Sequence, residues 1–385
     1  MSSTYLDHAA STPMRPEAIE AMLAFLADSF ANPSGGHHAA RAANTALEEA
    51  REAVAVSLGA APGEIVFTGG GTEADNLAVE GAARAARAAG GGAGVVTCAF
   101  EHKAVLAAAD RLEREGFAVR RVPATRGGLV DLDALADALD PSTVVVSVML
   151  VNNEVGTIQP LHEVVRIVRE RAPEAVLHTD AVQAVPWIDV TEAASGADLV
   201  SISGHKFGGP KGTGALVVRD GVSLQPLLEG GGQERGRRAG TVNVAGAVAT
   251  AAAIHATVDA RPRDVERIGV LRDRLVTGLA TAIDGLFVNG DPSRKVAGNC
   301  HVGLPGVEAE MLLVALDQLG VCAAAGSSCS SGATEPSHVL TAMGLSPADA
   351  RCSIRLSLGF ASTDADVDRA LDAVPAAVMQ LRRAA

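Results

Sequence analysis

Short runs of β-branched residues alternate with alanine-rich stretches through roughly the first two-thirds of the chain. This alternation is typical of βαβ units, which build a mainly parallel sheet with helices on both faces. In the stretches 73–89, 102–115 and 161–171, apolar residues recur every three or four positions, which predicts helices. The predicted strands are 64–68, 94–98, 118–122, 143–148, 175–179, 198–203 and 214–219. The pattern therefore predicts an α/β fold.

The pattern changes after about residue 244. Positions up to 283 are almost wholly helical, but Pro262 is expected to force the chain out of a continuous helix. The remainder predicts a smaller α+β unit, with helices at 308–319 and from Asp364 and strands at 321–325 and 352–358. We therefore expect a large domain of residues 14–255 and a small domain built from residues 1–13 and 256–385.

Composition and charge exclude several classes of function. With 385 residues, 48% hydrophobic and 20% charged, the chain can bury one large core and a smaller one. Its 45 acidic residues exceed its 32 scattered basic ones, so no basic face indicates direct binding of nucleic acid. The N-terminus lacks a leader pattern, and no apolar run is long enough to cross a bilayer. We expect a cytoplasmic protein with no membrane partner.

The segment 198–214 ends an apolar strand in small residues and then presents Lys206 among glycines. Desolvation and neighbouring positive charge lower the pKa of such an amine, which makes it a nucleophile for Schiff-base chemistry. From this segment alone, a surface lysine in a glycine-rich turn is an equally good interpretation. Lys211 is a rival, but its position between proline and glycine is more typical of a turn.

Three other strand ends carry candidate chemistry. After the first strand, Gly71 and Thr72 open a helix whose free N–H groups suit a phosphate, although a simple tight turn is as good an interpretation. Asp180 could pair with a protonated ring nitrogen of a cofactor, or it could cap a helix. His102 could stack on a cofactor ring, or it could likewise cap a helix. Because open α/β sheets bind ligands at the carboxyl ends of their strands, the coincidence favours a common site with Lys206.

The chain closely resembles the cysteine desulfurases of the class V aminotransferase family, among the fold-type I pyridoxal-phosphate enzymes. The resemblance rests on nearly end-to-end motifs, including Ser203-Gly-His-Lys206 and the segments 5–13, 32–34, 71–73, 101–103, 151–156, 179–180, 230–236 and 238–241. It implies a mainly parallel seven-stranded sheet flanked by helices, with pyridoxal 5'-phosphate as the cofactor and L-cysteine as the substrate.

The resemblance also implies roles for individual residues. Lys206 would hold the cofactor as a Schiff base, Asp180 would pair with its pyridine nitrogen, and His102 would stack on its ring and move protons. Arg355 would bind the substrate carboxylate, a role for which its planar fork is suited, unless it is a structural strand arginine. The remaining cofactor contacts would be Gly71, Thr72, Asn153, Gln183, Ser203, His205 and, from the other subunit of a homodimer, Thr241, with Asn153 also close to the substrate.

The segment 324–337 is small, polar and glycine-bearing, which predicts an exposed loop with an available thiol at Cys329. The other four cysteines lie in apolar or strand-like surroundings. The odd total of five cysteines and their wide spacing argue against a disulfide framework. The resemblance makes Cys329 the acceptor that takes sulfur from L-cysteine as a persulfide and leaves L-alanine. The long segment resembles the branch that serves general iron–sulfur assembly.

Other interpretations stay open from the sequence. A selenocysteine lyase or a class V aminotransferase would retain Lys206 and Asp180 without needing the loop thiol, and a non-catalytic sulfur-transfer scaffold would keep only the fold. The sulfur acceptor could be an iron–sulfur scaffold or an enzyme that thiolates tRNA, DNA or a cofactor. His37 and His38 are adjacent without a partner ligand pattern, so we predict no metal ligand in the polypeptide.

Overall fold

The computed structural model describes residues 3–326 and 336–384. Its helices are α1 (Pro16–Leu26), α2 (His38–Ser57), α3 (Gly71–Asn76), α4 (Ala82–Ala88), α5 (Lys103–Arg114), α6 (Leu132–Ala138), α7 (Leu161–Arg171), α8 (Val190–Ala193), α9 (Val244–Ala282), α10 (Ala309–Gln318), α11 (His338–Ala342), α12 (Pro347–Arg351) and α13 (Asp364–Ala384). Its strands are β1 (Thr4–Tyr5), β2 (Ile65–Thr68), β3 (Gly94–Cys98), β4 (Ala118–Val122), β5 (Thr143–Ser147), β6 (Val176–Asp180), β7 (Leu199–Ser203), β8 (Gly214–Val218), β9 (Phe287–Val288), β10 (Asn299–Gly303), β11 (Val321–Cys322) and β12 (Ser353–Ser357).

A seven-stranded sheet in the order β2-β8-β7-β6-β5-β3-β4 forms the centre of the molecule. Strand β8 is antiparallel to both of its neighbours, and the pairings among the other strands are parallel. The carboxyl ends of β2, β3, β5, β6 and β7 therefore meet at one edge. The predicted α/β fold with a mainly parallel seven-stranded sheet is confirmed.

Alternate residues of the strands pack into separate apolar cores on the two faces of this sheet. Phe67 and Val146 belong to the core on one face, whereas their neighbours Val66 and Val145 belong to the core on the other. A third core joins Leu6 to the C-terminal elements and the second half of α9. Two-sided burial explains why these strands are continuous apolar runs in the sequence.

Helix α9 corrects the expected interruption at Pro262. The helix runs unbroken for 39 residues with the proline inside it. An internal proline removes one helical hydrogen bond and costs about 3 kcal/mol. Packing on both sides of the proline offsets this cost, because Ile254 belongs to the first core while Leu275 belongs to the third. The division into domains of 14–255 and of 1–13 with 256–385 stays a prediction.

Several elements escaped the sequence pattern. They include α1, α2, β9 and β10, whereas the strand predicted at 352–358 is confirmed as β12. Strands β12, β10 and β9 form an antiparallel sheet, with Arg355 on its edge strand β12. The helical segment predicted from residue 73 begins at Gly71, with α3. Between α3 and α4 it passes through a π-helical turn at Leu77–Gly81. Within residues 3–326 and 336–384, no helix combines the length and apolar character needed to cross a membrane.

Candidate active site

A cavity of about 250 Å³ lies at the sheet edge where the parallel strands end. Ten of the twelve residues singled out from the sequence line it: Gly71, Thr72, His102, Asn153, Asp180, Gln183, Ser203, His205, Lys206 and Arg355. Thr241 lines a separate cavity of about 130 Å³ beside Arg238. Cys329 lies outside the described residues. One site thus gathers residues from six separate segments of the chain.

Lys206 follows β7 directly, in a short 3-10 turn at Gly204–Lys206. Its Nζ donates hydrogen bonds to the carbonyl oxygens of Ala9 and Ala10, at 2.6 and 2.8 Å. Gln183 Nε2 donates to the same Ala9 oxygen at 2.7 Å. The N-terminal segment therefore forms one wall of the cavity and holds the lysine amine inside it. Lys211, the rival, is exposed.

Asp180 ends β6 with its carboxyl almost fully buried. Its Oδ1 accepts a hydrogen bond from the Val182 N–H at 2.9 Å. Burial raises the pKa of this carboxyl, while His102 and Lys206 act in the opposite direction. A cationic ring nitrogen placed in the cavity would stabilise the ionised carboxylate by the same Coulombic attraction.

His102 both caps a helix and lines the cavity. As the N-cap residue of α5 it accepts the Ala104 N–H at Nδ1, at 3.2 Å. Burial lowers the pKa of the imidazole, and the nearby Lys206 lowers it further, so the ring is neutral near neutral pH. Since Nδ1 is an acceptor in this contact, the ring proton is assigned to Nε2. The two interpretations that the sequence left open are thus compatible.

A cluster of buried acids lies beneath the cavity, and the sequence pattern gave no sign of it. Asp75 and Glu101 are fully buried, and burial raises both carboxyl pKa values well above the usual range, with the Asp180 charge adding to the effect. Carboxyl groups this close and this deeply buried cannot all be ionised, so Asp75 and Glu101 carry protons. Donor atoms of Asp75, His102 and Asp180 lie within 4.8 Å of one another, a spacing that would also suit a metal ion.

His178 lies beside this cluster, with its Nε2 3.6 Å from Asp75 Oδ1. Its Nδ1 and Nε2 form hydrogen bonds with Ser147 Oγ and Ser201 Oγ, both at 2.9 Å. Burial lowers its pKa to about 3, so the imidazole is neutral and provides no positive charge to the acids. Lys206, which lines the cavity, lowers the pKa of Asp180 instead.

The start of the helical segment at Gly71 is shaped for a close approach. A Cβ on Gly71 would lie 2.9 Å from Val182 Cγ2 and 3.3 Å from Ser203 Cβ, so only glycine fits. The first N–H groups of a helix have no intrahelical acceptor and bind anions well. Thr72, Ser203 and His205 line the same wall. This wall has the chemistry of a phosphate site.

Arg355 provides a second cationic side chain at the cavity, besides Lys206. It is 2% exposed, and its Nη2 donates to Asp7 Oδ1 at 2.8 Å while Nη1 donates to the Asn153 carbonyl at 2.7 Å. The side-chain Oδ1 of Asn153 is buried and makes no hydrogen bond with any described residue. An unsatisfied buried amide oxygen that lines a cavity points to a bound group.

These residues fit pyridoxal phosphate. The site offers an amine for the aldehyde carbon, a carboxylate for the pyridine nitrogen, a glycine-lined helix start for the phosphate and an unsatisfied amide oxygen. The model of the class V aminotransferase family matches residues 4–370. The chain belongs to the class V aminotransferase family. The predicted family is therefore confirmed, and with it the dependence on pyridoxal phosphate.

Known members of the class V aminotransferase family resemble the chain over nearly its whole length. It is 47% identical to the IscS-like cysteine desulfurase of Mycobacterium tuberculosis, over 99% of this chain and 98% of that protein. A solved NifS-like protein is 35% identical, with a TM-score of 0.91 over 97% of this chain and 98% of the other. The solved structure of SspA in complex with cysteine is 34% identical, with a TM-score of 0.82, and covers 92% and 99% of the two chains.

The geometry of this member of the class V aminotransferase family adds cavity residues that motif analysis did not single out. They are Asp75, Lys103, Glu154 and His338. Glu154 lies within the motif 151–156, next to Asn153, and His338 directly follows the segment 324–337. These positions were the signal available in the sequence. Of the cysteines in the described ranges, Cys98, Cys300 and Cys352 are buried, and Cys322 is half-buried. Burial raises the pKa of the Cys98 and Cys300 thiols, which makes both poor nucleophiles.

Proposed function

We propose that this protein is a pyridoxal-phosphate-dependent cysteine desulfurase that converts L-cysteine to L-alanine and keeps the sulfur on Cys329 as a persulfide. One observation carries the proposal: a single cavity holds Lys206, Asp180 and Arg355 around room for a cofactor and a small amino acid. The relatives named as cysteine desulfurases support the reaction. The related SspA, solved with cysteine, supports the substrate.

Arg355 binds the substrate carboxylate. A guanidinium fork matches a carboxylate in two parallel hydrogen bonds, and the low exposure of Arg355 strengthens the attraction. Its contacts with Asp7 and the Asn153 carbonyl hold the fork in place before substrate arrives. The substrate amine then points toward Lys206 at the other side of the cavity.

Proton transfer falls to Lys206 and His102. Pyridoxal phosphate, when bound, supplies an electron sink for chemistry at the α-carbon of an amino acid. Lys206 Nζ, held in the cavity by the Ala9 and Ala10 carbonyls, would be the base that accepts the substrate Cα proton. His102 is neutral, so its Nε2 can exchange a proton while Nδ1 stays bound to the Ala104 N–H. Asp180, which lines the same cavity, would hold the ring nitrogen of the cofactor and keep it protonated.

Sulfur transfer follows as a balanced displacement. The Cys329 thiolate attacks the substrate sulfur, a sulfur–sulfur bond forms, and the substrate's carbon–sulfur bond breaks. The electron pair of the broken bond stays with the carbon skeleton, which takes up protons and leaves as alanine. One cysteine and one enzyme thiol thus give one alanine and one enzyme persulfide, without an external oxidant.

The protein acts as a homodimer, in which Thr241 of the partner subunit completes the phosphate site. Two features support this arrangement: Thr241 lies away from the cavity of its own chain, and the neighbouring Arg238 forms an ion pair with Glu73 at 2.8 Å, next to the phosphate wall. The persulfide serves a protein acceptor, such as an iron–sulfur scaffold or a thiolation enzyme, in the cytoplasm. The long cysteine-bearing segment favours iron–sulfur assembly.

Three variants of the holoenzyme test the proposal. We expect Cys329→Ser to retain the Schiff-base absorbance but to lose at least about 100-fold in alanine release and in persulfide detected by alkylation and mass spectrometry. Cys322→Ser, the control at a half-buried thiol, should behave like wild type. Lys206→Ala should lose the Schiff-base absorbance. A Cys329→Ser enzyme that forms alanine and persulfide at the wild-type rate would overturn the assignment of Cys329 as the sulfur acceptor. A protein that acts only on selenocysteine would favour a selenocysteine lyase.

A further inference from the structure

His338 is a second imidazole of the cavity, besides His102, and the proposed reaction assigns it no role. It is the first residue of α11, and its half-buried ring lines the cavity. Its Nε2 lies 2.9 Å from the carbonyl oxygen of Glu101. Because a carbonyl oxygen can only accept a hydrogen bond, the ring proton is assigned to Nε2. The Nδ1 of the neutral ring keeps its lone pair, and no described residue forms a hydrogen bond with it.

His102 has the opposite arrangement of donor and acceptor. Its Nδ1 accepts the Ala104 N–H, so its proton is on Nε2. Burial lowers the pKa of the His102 imidazole, and the Coulombic effect of His338 lowers it further, as expected for neighbouring rings. Both rings line the same cavity. The cavity therefore combines one imidazole that can donate a proton with one that can accept it.

Other titratable side chains of the cavity are committed to different contacts. Lys206 and Asp180 are expected to hold the cofactor, and His205 lines the phosphate wall. Glu154 Oε2 already accepts a hydrogen bond from Ser337 Oγ. Burial raises the pKa of the Asp75 carboxyl well above its usual range, so this acid carries a proton and is no base near neutral pH. The lone pair of the α11 imidazole is not committed in this way.

Charged and titratable groups approach the ring of His338 from the start of α5, from the segment after β5 and from β12. These cavity residues are His102, Lys103, Glu154 and Arg355. Helix α12 also packs against α11, and its Asp349 and Arg351 contact Ser346 and Glu308. None of these described groups forms an ion pair or a hydrogen bond with His338. A proton taken up by the ring is therefore not trapped by a carboxylate.

We propose that His338 is a catalytic residue that accepts, at Nδ1, the proton that the ammonium group of incoming L-cysteine must lose before its amine can react. An amine is a nucleophile only as the free base. In this step a nitrogen–hydrogen bond of the ammonium breaks, its electron pair stays on the amine nitrogen, and the proton binds Nδ1. Nε2 donates to the Glu101 carbonyl throughout, so the ring keeps its place while its charge changes. The half-buried ring then passes the proton to water.

The inference rests on the proposed reaction of L-cysteine, and it concerns a step before sulfur leaves the substrate. His338→Gln separates proton uptake from a structural role, because the amide nitrogen can still donate to the Glu101 carbonyl but the amide takes up no proton. The affinity of the apoprotein for pyridoxal phosphate should be unchanged. In the holoenzyme at pH 7, the spectral change on adding L-cysteine should slow by about 100-fold, the lower end of what a positioned proton acceptor contributes.

The dependence on pH distinguishes a lost proton acceptor from a distorted site. As the pH is raised toward about 9, more of the substrate arrives as the free amine, so the deficit of His338→Gln should shrink. His338→Ala removes the ring, and imidazole added to the solution should restore part of its rate. The control His255→Gln replaces a histidine of α9 whose side chain is 72% exposed, and it should react like wild type at every pH.

Nuclear magnetic resonance of wild-type enzyme with nitrogen-15-labelled histidine tests the tautomer directly. The ring signals that disappear in His338→Gln should show a protonated Nε2 and an unprotonated Nδ1 at pH 8. A protonated Nδ1 with a bare Nε2 would overturn the inference.

Two kinetic results would also overturn it. One is a wild-type spectral rate in His338→Gln at pH 7, and the other is a slowing that is equal at every pH and that imidazole does not relieve in His338→Ala. Failure of the proposed function looks different, because wild-type enzyme would then release no alanine from L-cysteine. Normal alanine release by wild type, together with a fully active His338→Gln, rejects the role of His338 alone.

Discussion

Removing the carboxylate of Glu234 should destabilise the protein far more than removing that of Glu115, although both acids form two hydrogen bonds with an arginine. Glu234 accepts from Arg51 Nη1 and Nη2 at 2.9 and 2.7 Å, with the two side chains 7% and 2% exposed. Glu115 accepts from Arg84 at 3.0 and 2.7 Å, with the side chains 19% and 35% exposed. Burial is the main difference between the pairs.

The expected magnitude follows from what each substitution leaves behind. Breaking a buried ion pair by removing one partner costs about 3–5 kcal/mol, because the other charge stays buried. Part of that cost is the Phe67 N–H, which donates to Glu234 Oε2 at 2.8 Å and would lose its acceptor. Arg51 keeps its hydrogen bond to the Ile65 carbonyl and its ion pair with Glu48. The cost of Glu234→Ala is therefore expected toward the lower end of that range, at about 3–4 kcal/mol. Exposed pairs such as that of Glu115 are worth about 0–1 kcal/mol.

Thermal unfolding of cofactor-saturated enzyme at one scan rate measures the difference, since large proteins often unfold irreversibly. An unfolding entropy of about 2.1 cal/mol/K per residue gives ~0.8 kcal/mol/K for this chain, so a cost of about 3–4 kcal/mol in Glu234→Ala should lower Tm by about 4–5 °C. Glu115→Ala should lower it by about 1 °C or less. The paired change Arg51→Met with Glu234→Met should recover part of the loss, because neither charge is then buried alone. Equal Tm shifts for Glu234→Ala and Glu115→Ala would refute the reasoning.

Three further predictions concern the site. Asp180→Asn should lower kcat/KM by at least about 100-fold and shift the absorbance of the bound cofactor, because an amide cannot hold the ring nitrogen protonated; an unchanged spectrum and rate would contradict the pairing. Arg355→Lys should raise KM for cysteine by about tenfold or more with normal cofactor loading, measured by steady-state alanine release, because a point charge replaces the two-bonded fork. His178 has a folded pKa of about 3 against an unfolded value near 6.5, so the unfolded state binds more protons as the pH falls. Its contribution to stability should therefore fall by about 2 kcal/mol between pH 7 and pH 5, and His178→Gln should show a flatter dependence of Tm on pH over that window; the same slope in both proteins would contradict a buried neutral imidazole.

The sequence determined the class of fold and predicted most of the candidate site, because both leave local signals. Strands buried on two faces must be apolar and β-branched throughout, so their runs could be located to within one or two residues. Lys206, Asp180 and Gly71 each follow such a run. Since parallel strands end at one edge of a sheet, their meeting could be inferred before the structure was known.

Only the tertiary structure decided which groups share the low dielectric of the interior. The acids Asp75 and Glu101 had no distinguishing local pattern, and their protonation follows from burial near Asp180. The wall formed by Ala9 and Ala10 against Lys206 joins residues almost 200 positions apart. A periodic pattern records neighbours along the chain, whereas burial and Coulombic interactions depend on neighbours in space.

The helix α9 and the carboxyl of Glu154 illustrate the same limit. Pro262 carries a local signal to end a helix, and packing against two separate cores overrides it. Glu154 follows two asparagines in a motif that could be recognised, but its hydrogen bond with Ser337 exists only in the folded chain. The sequence alone thus determined the class of fold and predicted which residues carry the chemistry. The tertiary structure decided their protonation and their contacts, because both depend on distances that local sequence does not encode.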